Sequence, residues 1–322
     1  MQTGLVPKNE VAGIDDLLIL DVIESFTQLK NSRHTQRSYR SDITGFFKSL
    51  DVVFLLDFGV LPYPQVVDQV KAYLSENTKK DSQSSRVLNP KTINRKAYSL
   101  SAFFNYLIHV YGYPKNPIKH FTAHKTERRS TTTSLTRAEV IDFLAFAKAE
   151  HRLSETKFRN YLILVFMFAL ALRRDEVSNL KWDDVDFQQQ TVNVYQKGGS
   201  FKLLPLPIGV ILLLDEFKRQ YGDLCPYVFH PVRNNRTGEL NKPIRTEYIF
   251  EMVKKIALQV VPDKRITPHS FRKTFIELAL NNKEDFISII NATGHSTVEM
   301  VKYYDTRDSL KNNAIHSIAT II

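Results

Sequence analysis

Four short stretches place charged or titratable groups inside otherwise apolar sequence. The first, Ala171-Leu-Arg173-Arg174-Asp175-Glu176-Val177, overlaps the end of the most apolar run in the chain, Tyr161 to Leu172. An arginine entering a core is costly unless paired, and Glu176, three residues on, can pair with Arg173. The second, Pro268-His269-Ser-Phe-Arg272-Lys273, reads as a helix N-terminus. Free N–H groups and the helix dipole favour an anion there, and His269 and Arg272 share one face. In the third, Gly294-His295 is followed nine residues later by Tyr304, whose neighbour Tyr303 points about 100° away on a helix. The fourth is Lys197, at the tip of an expected hairpin. Taken singly, each has an ordinary reading: a structural ion pair, a solvated helix end, a core tyrosine, a turn lysine. Together they supply guanidinium, ammonium, imidazole and phenol groups, the means by which a protein holds an anion.

These groups need elements to carry them. Residues 1–13 show no periodicity and read as a flexible arm. Ile19, Val22, Ile23 and Phe26 recur at helical spacing, as do Tyr39, Ile43, Phe46, Phe47 and Leu50 behind Thr35, the expected N-cap. Pro64 suits the first turn of a helix carrying Val66, Val67, Val70, Tyr73 and Leu74, and Ile93, Ala97, Leu100, Phe104, Leu107 and Tyr111 mark a longer one. The four helices define an N-terminal unit over 14–120, and the polar stretch 121–134, with Lys125, Arg128 and Arg129, reads as a linker. Thr136 and Glu139 then form a capping box, with Leu135 and Val140 spaced as a hydrophobic staple, so a second unit begins near 135 and extends to 304. Its apolar helix through Tyr161–Leu172 leads to two strands, Thr191–Tyr195 and Lys202–Leu206, around Lys197-Gly-Gly-Ser200. Helices are expected at about 208–220, 246–259 and 268–281, over Glu284–Ala292 before Gly294, and from a capping box at Ser296–Glu299. The fold class is mainly α: a four-helix N-terminal domain and an α-rich second domain with one small sheet or hairpin.

Composition narrows the partners. The 322 residues carry 44 Lys+Arg against 34 Asp+Glu, a formal charge of +10. That balance suits a protein that meets nucleic acid, though an acidic surface would leave the same trace. The excess is spread, +4 over 1–120, +2 over 121–140 and +4 over 141–322, which suits enclosure of the partner better than a basic tail. The 43 % hydrophobic content allows real cores, and a single cysteine, Cys225, fits a reducing cytoplasm. Without a signal-like N-terminus or an apolar run of about 20 residues, secretion and membrane insertion are not expected.

Read jointly, Leu-Arg173-x-x-Glu176, Lys197 on a β-turn, His269-x-x-Arg272, Gly294-His295 and Tyr304 resemble, in order and spacing, the tyrosine recombinase (phage integrase) family. Lys197 follows Arg173 by 24 residues and Arg272 does so by 99; His295 follows Arg272 by 23 and Tyr304 follows His295 by 9. The resemblance covers 135–322, and the four-helix unit is similar to the family's core-binding domain. The general likeness is to compact Xer-type recombinases and simple integrases, because residues 1–13 leave no room for an arm-binding domain.

The resemblance implies site-specific recombination of duplex DNA by strand cleavage and exchange along a Holliday-junction route. An in-line attack on a phosphodiester spreads charge over the non-bridging oxygens, so catalysis is chiefly positioning and electrostatics. Arg173 and Arg272 would each grip phosphate bidentately, with His295 donating a further hydrogen bond. Tyr304 would be the nucleophile, its phenolate favoured by the dense cationic surroundings, and would form a 3′-phosphotyrosyl link that permits re-ligation without ATP. By family likeness, Lys197 is the general acid to the leaving 5′-oxygen, His269 a general base or phosphate orienter, and Glu176 the support of Arg173. No metal or other cofactor is implied. The implied partners are double-stranded DNA with inverted-repeat half-sites and further copies of the chain, a dimer on one site and a tetramer in synapsis, in the cytoplasm at the nucleoid.

Three positions depart from the family pattern: Lys273 stands where many members have a histidine, Asp175 where a small residue is usual, and Gln196 where glycine is common before the lysine. A type IB topoisomerase uses similar groups, but the four-helix unit and the tail weigh against it. In that tail, 305–322, Ala314, Ile315, Ile318, Ile321 and Ile322 share a helical face suited to docking on a neighbouring protomer. An inert DNA-binding relative is disfavoured because every catalytic position is filled. The helices near 91–111 and 246–259, the latter with Arg245 and Lys254, are candidates for groove contacts.

Overall fold

In a computed structural model, residues 16–75, 88–119, 121–126, 130, 132–196, 199–222, 225–233, 238–305 and 307 are described, so the expected arm 1–13 and nearly all of the tail 305–322 lie outside the described residues. The chain divides into two compact units, 1–127 and 128–322. The fold is mainly helical with one small sheet.

The first unit contains α1 (Ile19–Gln28), α2 (Arg33–Ser49), α3 (Leu55–Gly59), α4 (Tyr63–Ser75) and α5 (Pro90–Tyr111). Four match the expected helices; α3 is additional, too short to leave a periodic signature. The α2 helix also starts before Thr35, at Arg33 behind Ser32, and Ser32 makes no side-chain cap bond. Long α5 is delimited by local chemistry: Asn89 Oδ1 accepts from Lys91 N–H, Pro90 occupies the first turn, and Gly112 closes the helix at φ 67°. The helices converge on buried Phe26, Phe46, Phe47, Phe58, Phe103 and Phe104, with Phe47 edge-on to Phe58 and Phe103. Inside lies Asp42, which accepts from Arg95 and, at 3.0 Å, from Ser99 Oγ, so its charge is compensated.

The second unit runs α6 (Arg137–Ala149), α7 (Glu155–Ala169), α8 (Arg174–Ser178), β1 (Val185–Asp186), β2 (Thr191–Tyr195), β3 (Phe201–Pro205), α9 (Ile208–Tyr221), α10 (Thr246–Val260), α11 (Pro268–Asn281), α12 (Phe286–Thr293) and α13 (Val298–Lys302). The capping box that opens α6 is formed: Thr136 N–H donates to Glu139 Oε2 at 2.6 Å, and Glu139 N–H to Thr136 Oγ1 at 3.2 Å. Leu135 and Val140 are both buried. Most of α7 is buried all round, which makes it the centre of the unit's larger core, against Val192, Val194, Leu214, Phe229 and Phe271. It stops at Ala169, short of the expected Leu172, because Ala171 adopts φ 51° and turns the chain toward α8. The antiparallel sheet has order β1-β2-β3, with Val194 opposite Lys202 and Tyr195 opposite Phe201. The short β1 was not legible in the sequence. Val192, Val194 and Leu204 face the core, while Tyr195, Phe201 and Leu203 are exposed. The last short helix is capped by Thr297, which accepts from Met300 N–H, and not by Ser296 as its sequence suggests. No helix among the described residues is long and apolar enough to cross a membrane.

Candidate active site

Arg173 sits at the N-cap of α8. Its N–H donates to Glu176 Oε2 and its Nη1 to Glu176 Oε1, both at 2.7 Å. The expected pair is therefore formed twice over, through backbone and side chain, by a carboxylate that is itself buried. The guanidinium is held from one side, and among the described residues its other donors meet no acceptor.

Arg272 lies one turn into α11 and is only 1 % exposed. Its Nη1 donates to Ala171 O at 2.7 Å, its Nη2 to Thr293 O, and Nη2 also approaches His295 Nε2 at 3.4 Å. Among the described residues its Nε–H is buried without a partner. Such a donor is costly to leave unpaired, and a phosphate oxygen would satisfy it. Burial, with Arg173 nearby, lowers even this guanidinium to about 10.

His295 follows the glycine that ends α12. Thr293 Oγ1 donates its one proton to Ile289 O at 2.6 Å, so at 2.8 Å from His295 Nδ1 it can only accept. The Nδ1–H tautomer follows, with Nε2 an acceptor facing Arg272. Burial, then Arg272 and Arg173, depress the imidazole to about 3, leaving it neutral. In this state its ring proton is committed to Thr293, which differs from the phosphate-directed donor expected from sequence. Gly294, at φ 69°, makes the turn possible, and a Cβ there would collide with the Gln196 carboxamide. Gln196, one of the departures from the family pattern, thus packs on the turn that carries His295. Gly294→Ala is expected to lower the stability of this unit by about 1–3 kcal/mol, combining a left-handed alanine with that collision. Unchanged thermal unfolding of the variant would contradict it.

Tyr304 ends the run. Its ring packs on Ile276, Leu280, Ile289 and Val301, and its hydroxyl lies 2.9 Å from His269 Nε2. Burial, with Arg272 and Arg173, lowers the His269 pKa, so the ring is neutral and able to accept from the phenol. The sequence suggested that the cations would favour phenolate. They do act in that direction, but burial is the larger effect and the pKa of Tyr304 is raised. The resting phenol is thus protonated, and nucleophilic attack by it would need a base.

A concavity of about 360 Å³ opens beside these groups, lined by Arg173, Arg174, Asp175, Phe250, His269 and Arg272. The structure therefore brings together Arg173, Glu176, His269, Arg272, His295 and Tyr304; Lys197 lies outside the described residues. Lys273 points elsewhere, its Nζ donating to Thr132 O at 2.6 Å and lying 3.3 Å from Glu277. Ser130 N–H, in the same incoming segment, donates to Tyr303 O at 3.0 Å.

Lys202 belongs to this cluster and escaped the sequence reading. Its Nζ donates to Ala292 O, and Arg272, Glu176 and Arg173 all act on its charge. The signal was present: in the β3 alternation Lys202 falls in phase with buried Leu204, an inward position where a lysine has to be explained.

A sequence model described as the phage integrase family matches residues 133–310, more than half of the chain. A tyrosine recombinase XerC of Bacillus licheniformis is 26 % identical over 303 residues, covering 91 % of this chain and 92 % of its own. A tyrosine recombinase of Agathobacter rectalis is 27 % identical over 225 residues, 67 % of this chain and 71 % of its own. Among solved structures, the Tn1549 transposon integrase in complex with transposon right end DNA has a TM-score of 0.66 at 18 % identity, over 94 % of this chain and all of that one (100 %). A lambda integrase dimer bound to a core site has a TM-score of 0.63 at 16 % identity, over 89 % and 94 % of the two chains. At such identity these two likenesses concern the fold.

Proposed function

The chain belongs to the phage integrase family, and from that membership we propose that it is a site-specific DNA recombinase whose nucleophile is Tyr304. The observation that carries the residue assignment is the 2.9 Å approach of the Tyr304 hydroxyl to His269 Nε2, beside a concavity lined by Arg173 and Arg272. Arg173 and Arg272 hold the non-bridging oxygens of one phosphate, the unpaired Nε–H of Arg272 among the donors. His269 takes the phenolic proton as the Tyr304 oxygen attacks phosphorus. A 3′-phosphotyrosyl bond forms, the bond from phosphorus to the 5′-oxygen breaks, and Lys197 protonates that leaving oxygen. Attack by the 5′-hydroxyl of another strand reverses these steps and returns the proton to Tyr304. Glu176 orients Arg173, and His295 steadies Arg272. Residues 14–120 serve as the core DNA-binding domain, 121–134 as linker and 135–304 as the catalytic domain.

The substrate reading is duplex DNA with inverted-repeat half-sites, bound by two copies per site and four in synapsis. Relatives whose names or titles place them on DNA core sites and transposon ends support it. The apolar face of 305–322 docks on a neighbouring copy. An apolar depression of about 320 Å³ between α11 and α12, lined by Phe275, Leu278, Ala279 and Ile289, is a suitable receiver. Deleting 306–322 is then expected to abolish strand exchange while sparing DNA binding, and full exchange by the truncated chain would refute the docking. The wider reading is tested with an oligonucleotide nicked near the cleavage point, from which the released fragment diffuses away. A protein–DNA adduct that survives denaturing electrophoresis is expected without metal or ATP, and its absence would sink the proposal.

A further inference from the structure

We infer that Lys202 is a positioning residue: by holding the Ala292 carbonyl at the end of α12, it sets the turn that carries Thr293, Gly294 and His295, and so acts on catalysis through His295. The inference rests on the recombinase reading above.

Helix ends leave carbonyls without intrahelical partners, and cations are favoured beside them. At the end of α12 two successive carbonyls are taken by two cations from different elements. Ala292 O accepts from Lys202 on β3, and Thr293 O accepts from Arg272 on α11. The His295 imidazole then hangs from the Thr293 hydroxyl. Apart from the approach of Arg272 Nη2 to Nε2 at 3.4 Å, what aims the imidazole passes through this short segment. The base of the hairpin grips it from the other strand as well, since the Gln196 side chain lies against Gly294.

A lysine opposite Val194 on the inward face of β3 has given up hydration in the company of two arginines. Burial and that company hold its pKa down at about 8. A half-buried ammonium needs a compensating acceptor, and Ala292 O supplies it. Without the ammonium the Ala292 carbonyl loses its partner, and the turn keeps only the Arg272 bond to Thr293 O and the packing of Gln196 on Gly294. A displacement of about 1 Å at a catalytic group is enough to cost roughly 100-fold in rate.

The test is single-turnover cleavage of the nicked substrate by the full chain, with DNA affinity and thermal unfolding measured alongside. Lys202→Met is expected to slow cleavage about 10- to 100-fold. DNA affinity should stay within about twofold, because the effect lies in the chemical step. Lys202→Arg should recover to within about threefold of wild type, since a guanidinium can reach the same carbonyl. In a His295→Ala background, Lys202→Met should add less than about threefold, the signature of two residues acting as one unit. Multiplicative losses in that cycle, an arginine variant no better than methionine, or a parallel loss of DNA binding would each overturn the inference. Should thermal unfolding show that Lys202→Met does not fold, Lys202→Gln carries the same expectations. A wild-type chain that forms no covalent complex sinks the recombinase reading; a wild-type complex with a multiplicative cycle sinks only the role of Lys202.

Discussion

Tyr304→Phe is expected to form no covalent complex with the nicked substrate, whereas Tyr303→Phe is expected to form it at close to the wild-type rate. The phenylalanine ring keeps the packing on Ile276, Leu280, Ile289 and Val301, so the variant folds and binds DNA. What it lacks is the one oxygen positioned 2.9 Å from His269 Nε2. No neighbouring group substitutes for it: the Tyr303 ring is turned 82° from that of Tyr304, and the imidazoles of His269 and His295 are held neutral among cations. An adduct formed by Tyr304→Phe, or lost in Tyr303→Phe, would move the nucleophile elsewhere.

Arg272→Lys is expected to reduce cleavage by about 100- to 1,000-fold, the range associated with loss of a preorganised donor to a transition-state oxygen, with DNA binding largely kept. The substitution preserves charge and removes geometry. A single ammonium cannot reach Ala171 O, Thr293 O and an incoming phosphate together, as the guanidinium fork does. Binding survives because most of the affinity for duplex DNA comes from many phosphate contacts spread over the protein. Cleavage at the wild-type rate by Arg272→Lys would remove bidentate recognition as the explanation of this residue. Comparable loss of DNA affinity would show instead that the arginine acts mainly as an anchor.

The residues that carry chemistry were legible because reaction and backbone constrain them jointly. Arg173 announced its partner at three residues' distance, and Gly294 marked the left-handed turn before His295. Period and capping chemistry placed the start of α6 and both ends of α10 and α11 nearly to the residue. What stayed hidden was set by tertiary packing. Helix α3 has only five residues, too few to declare a period. The positive φ of Ala171, which ends α7 early, has no local cause in an Ala-Leu-Arg sequence; its carbonyl is held by Arg272 from 101 positions away. The protonated state of Tyr304 could not be foreseen by counting neighbouring charges, because burial opposes them and is the larger effect. Lys202 was overlooked because a lysine in an exposed hairpin and one on its inward face look alike until the strand's phase is applied.

The segment that leads into the catalytic unit has a mechanical meaning. Ser130 is bonded to the carbonyl of Tyr303, and Thr132 to the side chain of Lys273, the residue after Arg272. One short stretch of chain is therefore tethered both to the peptide that joins Tyr303 to Tyr304 and to the helix that bears the phosphate-gripping arginine. In geometric terms the two bonds make this stretch a brace that ties the end of α13 to α11.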